Sequence, residues 1–334
     1  MTSTLNDQLV KYKSILHNLD ADELDMLIQH TKILAFNKGD VFIQQGSQHD
    51  ELYIIIEGTV TVSAKILGHG IAKIETLGPG NFLNEVSFIM KAPSATSIVA
   101  GESLQCITIT RAYFDFLDIY SPITKYKIIA TLSKQICCRI RDIHTKLVKV
   151  IASLDMTTRS FVVEVIKSLN KPTMLTFEDV HESSNELKQS TLFKDFTDKE
   201  IELIMKSSEV ISAKKNCLLI QENEIDRTCY IVLRGAVQSS IIQDSKVAKL
   251  SVIGPMILFC SISIIDHAAL STINFTTCEN SILLKLTPEF LEQLRTTNTE
   301  LWHKFYQLIG KSIISLERSM DKLDIRLNIE TYNR

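Results

Sequence analysis

The chain has 334 residues, 45% hydrophobic and 22% charged, with a formal charge of −3. That length suits two domains, each burying its own core, and that balance describes a globular rather than a disordered protein. So small a net charge gives no general pull toward nucleic acid or an anionic membrane.

The first residues, Met1-Thr-Ser-Thr-Leu-Asn-Asp-Gln, lack the basic flank and apolar centre of a signal peptide. The longest apolar run, about residues 252–265, is interrupted and too short to span a bilayer. Seven cysteines follow no metal or redox spacing, as expected of buried thiols in a reducing compartment. The expectation is a cytoplasmic protein with no certain cofactor, no metal, and no nucleic-acid or membrane partner. A leaderless secreted effector is the alternative.

Reading along the chain, residues 21–31 set Leu24, Leu27 and Ile28 on one face, which predicts a short helix. Short β-branched runs follow at 41–44, 52–56, 59–64, 72–77 and 95–100, punctuated by glycine. Gly58-Thr-Val-Thr-Val-Ser63 alternates as a half-buried strand should. Between the last two runs lies Leu77-Gly-Pro-Gly-Asn-Phe-Leu-Asn-Glu-Val-Ser-Phe88, continuing into Ala92-Pro-Ser-Ala-Thr-Ser97. After Ser121-Pro122, a helix start, apolar residues fall at Ile136, Ile140, Ile143, Leu147, Val150 and Leu154, a heptad stripe.

The pattern then repeats. Lys38 to Gly46 matches Lys215 to Asn223, and Leu52 to Val60 matches Cys229 to Val237, at an offset of 177 residues. The offset falls to 176 at the second Gly-Pro loop, Ile253-Gly-Pro-Met-Ile-Leu-Phe-Cys-Ser-Ile-Ser-Ile264, as if one residue were lost from the preceding hairpin. It has returned to 177 by Tyr113 and Phe290. A second heptad stripe, Ile309, Ile313, Leu316, Met320, Leu323 and Leu327, closes the copy. One unit has been duplicated. The predicted domains are 1–155 and 191–334, joined by a linker over 156–190 that contains a helix at 161–169. The stripes predict a homodimer seam through Ile136, Ile140, Ile143, Leu147, Val150, Ile309, Ile313, Leu316, Met320 and Leu323. A helix packed on its own barrel accounts for a stripe of this length equally well.

The fold class predicted is α+β, mainly β: two jelly-roll barrels, each with N-terminal helices and a long C-terminal helix. This order, carried by residues 38–62 and 78–97, resembles the cyclic-nucleotide-binding domain family. The tandem form is similar to the regulatory subunits of cAMP-dependent protein kinase, and one unit to the sensor half of the bacterial catabolite activator. The resemblance implies a ligand loop over Leu83, Asn84, Glu85, Val86, Lys91, Ser94, Ala95, Thr96 and Ser97. In the family this loop reads Phe-Gly-Glu-Leu-Ala-Leu and then Pro-Arg-Ala-Ala-Thr, its glutamate accepting from the ribose 2′-hydroxyl and its arginine pairing with the cyclic phosphate. Here Glu85 is kept, Asn84 replaces the glycine, and Ser94 stands where arginine belongs. In the second copy Ser261 takes the glutamate's place and Leu270 the arginine's. The first arginine in the chain is Arg111, and none lies between Arg234 and Arg295. Lys91 is the nearest cation by sequence, a point charge without arginine's bidentate fork.

No nucleophile elbow, zinc-binding helix or phosphate-binding P-loop appears, so an enzyme is not expected. No helix-turn-helix follows either long helix. Lys11-Tyr-Lys-Ser14 is a poor match to the inhibitory segment of a kinase regulatory subunit. Two functions remain: an interaction or regulatory protein whose cyclic-nucleotide sites are weakened or lost, or a sensor that binds a cyclic nucleotide or other small ligand in its first domain and signals to a protein partner through its long helix.

Overall fold

The computed structural model describes residues 16–66, 70–153, 170–176 and 181–332; the helix expected at 161–169 and the end of the first stripe at Leu154 lie outside them. The chain divides into two compact units, Met1–Gln135 and Ile136–Arg334.

Unit 1 opens with α1 (Ala21–His30) and continues through β1 (Lys32–Phe36), β2 (Val41–Ile43), β3 (Glu51–Glu57), β4 (Val60–Ile66), β5 (Gly70–Leu77) and β6 (Phe82–Leu83). A short helix α2 (Glu85–Met90) precedes β7 (Ser97–Ala100) and β8 (Leu104–Thr110), and then come α3 (Arg111–Tyr120) and the long α4 (Pro122–Ser153), whose residues from Ile136 onward belong to unit 2. The strands form two four-stranded sheets, β1-β8-β3-β6 and β2-β7-β4-β5, antiparallel throughout. Their inward residues, among them Ile43, Tyr53, Ile55, Val62, Leu83, Ile98 and Cys106, make one core. This is the jelly roll expected.

Unit 2 repeats the plan. Its elements are β9 (Thr173–Leu175), α5 (His181–Gln189), α6 (Asp198–Lys206), β10 (Glu209–Ala213), β11 (Leu218–Ile220), β12 (Cys229–Arg234), β13 (Val237–Gln243), β14 (Lys246–Ile253), β15 (Leu258–Cys260), β16 (Asn274–Thr277) and β17 (Ser281–Leu286), then α7 (Pro288–Thr297) and α8 (Thr299–Tyr332). The duplication extends to fine detail. Asp20 and Glu23 form a capping box on α1, and Thr197 and Glu200 form the matching one on α6. Thr110 caps α3 and Thr287 caps α7. The β4–β5 register breaks between Val62 and Ser63, and the β13–β14 register breaks at the equivalent Ser239 and Ser240. The ladders also locate the lost residue: Ile66 pairs with Gly70, whereas Gln243 pairs with Lys246 across a hairpin one residue shorter.

The stretch taken as a linker partly joins unit 2. β9 adds a fifth strand to its sheet, pairing Leu175 with Val210 and Thr173 with Ser212. Three residues carry too little alternation to announce a strand.

The heptad stripes do not present an open seam. Ile136, Ile140, Leu147, Ile309, Ile313, Leu316, Met320 and Leu323 are buried within the chain, and Ile143 and Val150 are half-buried. Within unit 2, Arg139 of α4 meets Glu317 of α8 at 2.9 Å and Lys146 meets Asp324 at 2.5 Å. Seven residues separate the partners on each helix, so the two segments run side by side in the same direction. The stripes are therefore covered by the chain itself, so their burial does not require a second copy.

Two consequences can be measured. Ile140→Ala and Ile313→Ala should each destabilise the fold by about 2–5 kcal/mol in urea unfolding while leaving the mass seen by light scattering unchanged. A variant that changed oligomeric state instead would restore the seam. Gly58 and Gly235, equivalent in the two units, both hold φ near +85°, where a Cβ would strike the backbone carbonyls of Ser103 and Asn280. Gly39 has φ +91° with open space around it, and its counterpart is Asn216 at φ 67°. Gly58→Ala should cost more than the roughly 1–2 kcal/mol of a left-handed residue alone, and Gly39→Asn well under it.

Candidate functional site

The loop of interest in unit 1 runs from β6 through α2 to β7. Its entry is fixed by backbone pairing of Tyr53 with Leu83 and Ile54 with Phe82. Gln135 braces it from α4: its side-chain oxygen accepts from the Phe82 N–H at 3.1 Å, and its amide nitrogen donates to the Gly80 carbonyl at 2.6 Å. Asn84 then turns left-handed (φ 66°), the conformation glycine adopts most cheaply. Asparagine tolerates it here, and its side-chain amide donates to the Glu51 carbonyl at 2.7 Å. The amide nitrogen is committed to the fold, while the Asn84 Oδ1 is buried without a hydrogen-bond partner.

Glu85 opens α2 and is buried, Val86 is half-buried, and the Ser87 hydroxyl donates to the Ala92 carbonyl at 2.5 Å. Lys91 ends the helix in a second left-handed turn with its side chain exposed. Ser94 is buried and bonded three ways. Its N–H donates to the Ser47 carbonyl at 2.9 Å, its carbonyl accepts from Gly46 at 2.8 Å, and its hydroxyl donates to the Thr96 carbonyl at 2.8 Å. Ala95 is exposed, Thr96 half-buried, and Ser97 accepts from the Gln45 N–H at 3.0 Å. The structure thus gathers all nine predicted residues in one loop, with Lys91 on its outer side.

Arg111 also reaches the loop, from the start of α3. Its guanidinium donates to the Phe88 carbonyl and lies over the Phe88 ring, 3.8 Å from the centroid. It therefore serves the C-terminal end of α2, where a cation complements the helix dipole. Its distance in sequence concealed this role.

In unit 2 the loop is tighter. A three-residue 3-10 turn, Ile262–Ile264, replaces α2, and Ser261 caps it by accepting from the Ser263 N–H. The Ser263 hydroxyl donates to the Ala269 carbonyl at 2.7 Å, as Ser87 does to Ala92, so the offset moves from 176 back to 177 inside this loop. The residue equivalent to Ser94 is consequently Ser271, not Leu270. Ser271 repeats the same bonds, N–H to the Glu224 carbonyl, carbonyl from Asn223, and hydroxyl to Ile273 at 2.8 Å. Leu270 is 49% exposed and points away from any such role.

The polar centre of unit 2 escaped the sequence reading. Glu222, at the end of β11, is buried with both oxygens occupied: one meets His144 Nε2 at 2.7 Å, the other accepts from Asn274 Nδ2 at 2.9 Å and the Ile242 N–H at 3.1 Å. In unit 1 the equivalent Gln45 accepts from the Lys65 N–H at 2.6 Å. Two arginines reach the second loop from elsewhere in unit 2, Arg141 to Asp266 at 2.7 Å and Arg227 to His267 at 3.2 Å. Among the described residues no helix is long and apolar enough to cross a membrane, and no three His, Cys, Asp or Glu side chains are grouped to hold a metal.

Several known proteins are similar to this chain. Mouse cGMP-dependent protein kinase 2 is 29% identical over 126 residues, which are 36% of this chain and 16% of the kinase. A cyclic nucleotide-binding domain from Methylobacillus flagellatus is similar over 40% of this chain and 79% of its own, at 22% identity and a TM-score of 0.39. The regulatory domain of Toxoplasma gondii PKA, solved with cAMP, is similar over 91% of this chain and 97% of its own, at 14% identity and a TM-score of 0.32. The cyclic nucleotide-binding domain family itself matches residues 33–117 and 210–298, together 174 of the 334 residues. Two loops of one design on two jelly rolls, matched twice by one family, have a single explanation: the chain belongs to the cyclic nucleotide-binding domain family and carries the domain in tandem.

Proposed function

We propose that this chain is a non-enzymatic regulatory protein in which neither domain holds cAMP or cGMP with ordinary affinity, and which acts by engaging other proteins. One observation carries this reading. At the position that resembles the family's phosphate arginine, both units have a serine, Ser94 and Ser271, and each hydroxyl is turned onto the carbonyl two residues ahead. A cyclic phosphate entering either loop would meet a hydroxyl and no guanidinium at Ser94 or Ser271. Losing the charged partner of a desolvated anion costs on the order of 3–5 kcal/mol, which moves a micromolar ligand to the millimolar range at about 1.4 kcal/mol per decade.

A second reading rests on Glu85, which keeps its place at the opening of α2 and is buried. A ligand that presents a hydroxyl to this carboxylate and does not require a phosphate clamp would make unit 1 a sensor. Calorimetry separates the two. With cAMP, cGMP and cyclic dinucleotides no saturable binding tighter than about 100 µM, roughly −5.5 kcal/mol, is expected. Tighter binding that disappears in Glu85→Ala would establish the sensor.

The complementary experiment restores the missing group. Ser94→Arg should raise cAMP or cGMP affinity in unit 1 by about two orders of magnitude or more, whereas Ser271→Arg should do little, because Ser261 offers no carboxylate to the ribose. Equal gains at both positions would show that the arginine alone decides binding.

A further inference from the structure

Three large apolar side chains stand in solvent at the corner where α3 passes into α4. Ile119 is 75% exposed, Tyr120 68% and Ile123 53%. Tyr120 is not loose: it stacks on Phe116 at 4.3 Å, and Phe116 stacks in turn on His30 at 5.7 Å. A side chain already held in place loses little freedom when something covers it.

The fold itself does not require this surface. The duplicated corner of α7 and α8 has Thr296, Thr297 and Glu300 at the equivalent positions, all exposed. The same architecture is thus built twice in one chain, once with a polar corner and once with an apolar one.

Charge differs between the corners in the same way. α7 has Arg295 in its last turn, where a cation offsets the helix's negative end, and Arg295 pairs with Glu292 at 2.6 Å. α3 has no basic residue in its last turn, and Asp118 replaces the arginine. Asp115 lies one turn before Ile119 on the same exposed face. The nearby lysines are turned to other duties: Lys125 is buried, bonded to Asp118 at 2.5 Å and set over the Phe114 ring, and Lys127 is held by Glu23 at 2.6 Å. The corner is therefore apolar at its centre, with the exposed Asp115 one turn before it and, between α3 and α4, the carbonyl end of one helix beside the amide end of the next.

We propose that this corner is a docking surface for a basic amphipathic segment of a partner protein. Apolar side chains of the partner cover Ile119, Tyr120 and Ile123, and its lysines or arginines meet Asp115 and the C-terminal carbonyls of α3. Charge argues against the other occupants, because a second copy would set acidic corner against acidic corner and an anionic membrane would be repelled.

The test uses the full chain and two labelled helical peptides, one of leucine and lysine, the other with glutamate for each lysine. Fluorescence anisotropy is read for the wild type, for Ile119→Thr/Tyr120→Thr/Ile123→Glu, which installs the polar corner of the second unit, and for Asp115→Lys. The lysine peptide should bind the wild type at least tenfold more tightly than the triple variant, and added salt should weaken it. Asp115→Lys should weaken it too and favour the glutamate peptide. Equal binding to wild type and triple variant, no binding of the lysine peptide, or preference of the wild type for the glutamate peptide overturns the proposal. So does a wild-type dimer that the triple variant converts to monomer, which would make a second copy the occupant. Binding to phosphatidylserine vesicles that the triple variant loses would assign the corner to a membrane and overturn it likewise.

Discussion

Two backbone hydrogen bonds close each ligand loop onto its barrel, and much of the local geometry follows from them. In unit 1 they join Ser94 to Gly46 and Ser47, and in unit 2 they join Ser271 to Asn223 and Glu224. In both units the residue three past the second strand of the unit turns left-handed, Gly46 (φ 85°) and Asn223 (φ 66°), and its N–H makes one bond of the pair. These bonds use main-chain atoms alone, so they do not depend on which side chain stands at Ser94 or Ser271.

The latch also separates two properties that the family ordinarily shows together. Barrel, loop and closing helices depend on apolar burial and backbone pairing, whereas ligand affinity depends on a few charged groups inside the loop. On the function proposed above, substituting those groups weakens recognition with little effect on folding. Family membership therefore rests here on the first property, and the functional reading on the second.

Most of the architecture was legible in the sequence. The strands could be read from β-branched alternation, the start of α4 from Ser121-Pro122, and the duplication from its offset. The loop was legible as one stretch, because its nine candidate residues fall within residues 83–97. What stayed hidden came from a distance. Gln135 braces the first loop from α4, Arg111 reaches it from α3, and Glu222 with His144 and Asn274 assembles a polar centre from three separate elements. No local pattern marks such groups. Leu270 was matched to Ser94 because one offset was carried through a loop whose length changes halfway, and a buried hydroxyl contact revealed the shift. The heptad stripes had two valid partners on paper, a second copy or the chain itself, and periodicity does not distinguish them.

The polar centre around Glu222 has a kinetic consequence. A vacant pocket receives a molecule by diffusion, but this carboxylate already holds an imidazole, an amide and a backbone N–H. A newcomer has to displace them, giving up internal bonds worth about 0.5–1.5 kcal/mol each, more for those made to a charge, before it gains its own. Any exchange at this carboxylate is therefore set by the bonds that join β13, β16 and α4 within unit 2.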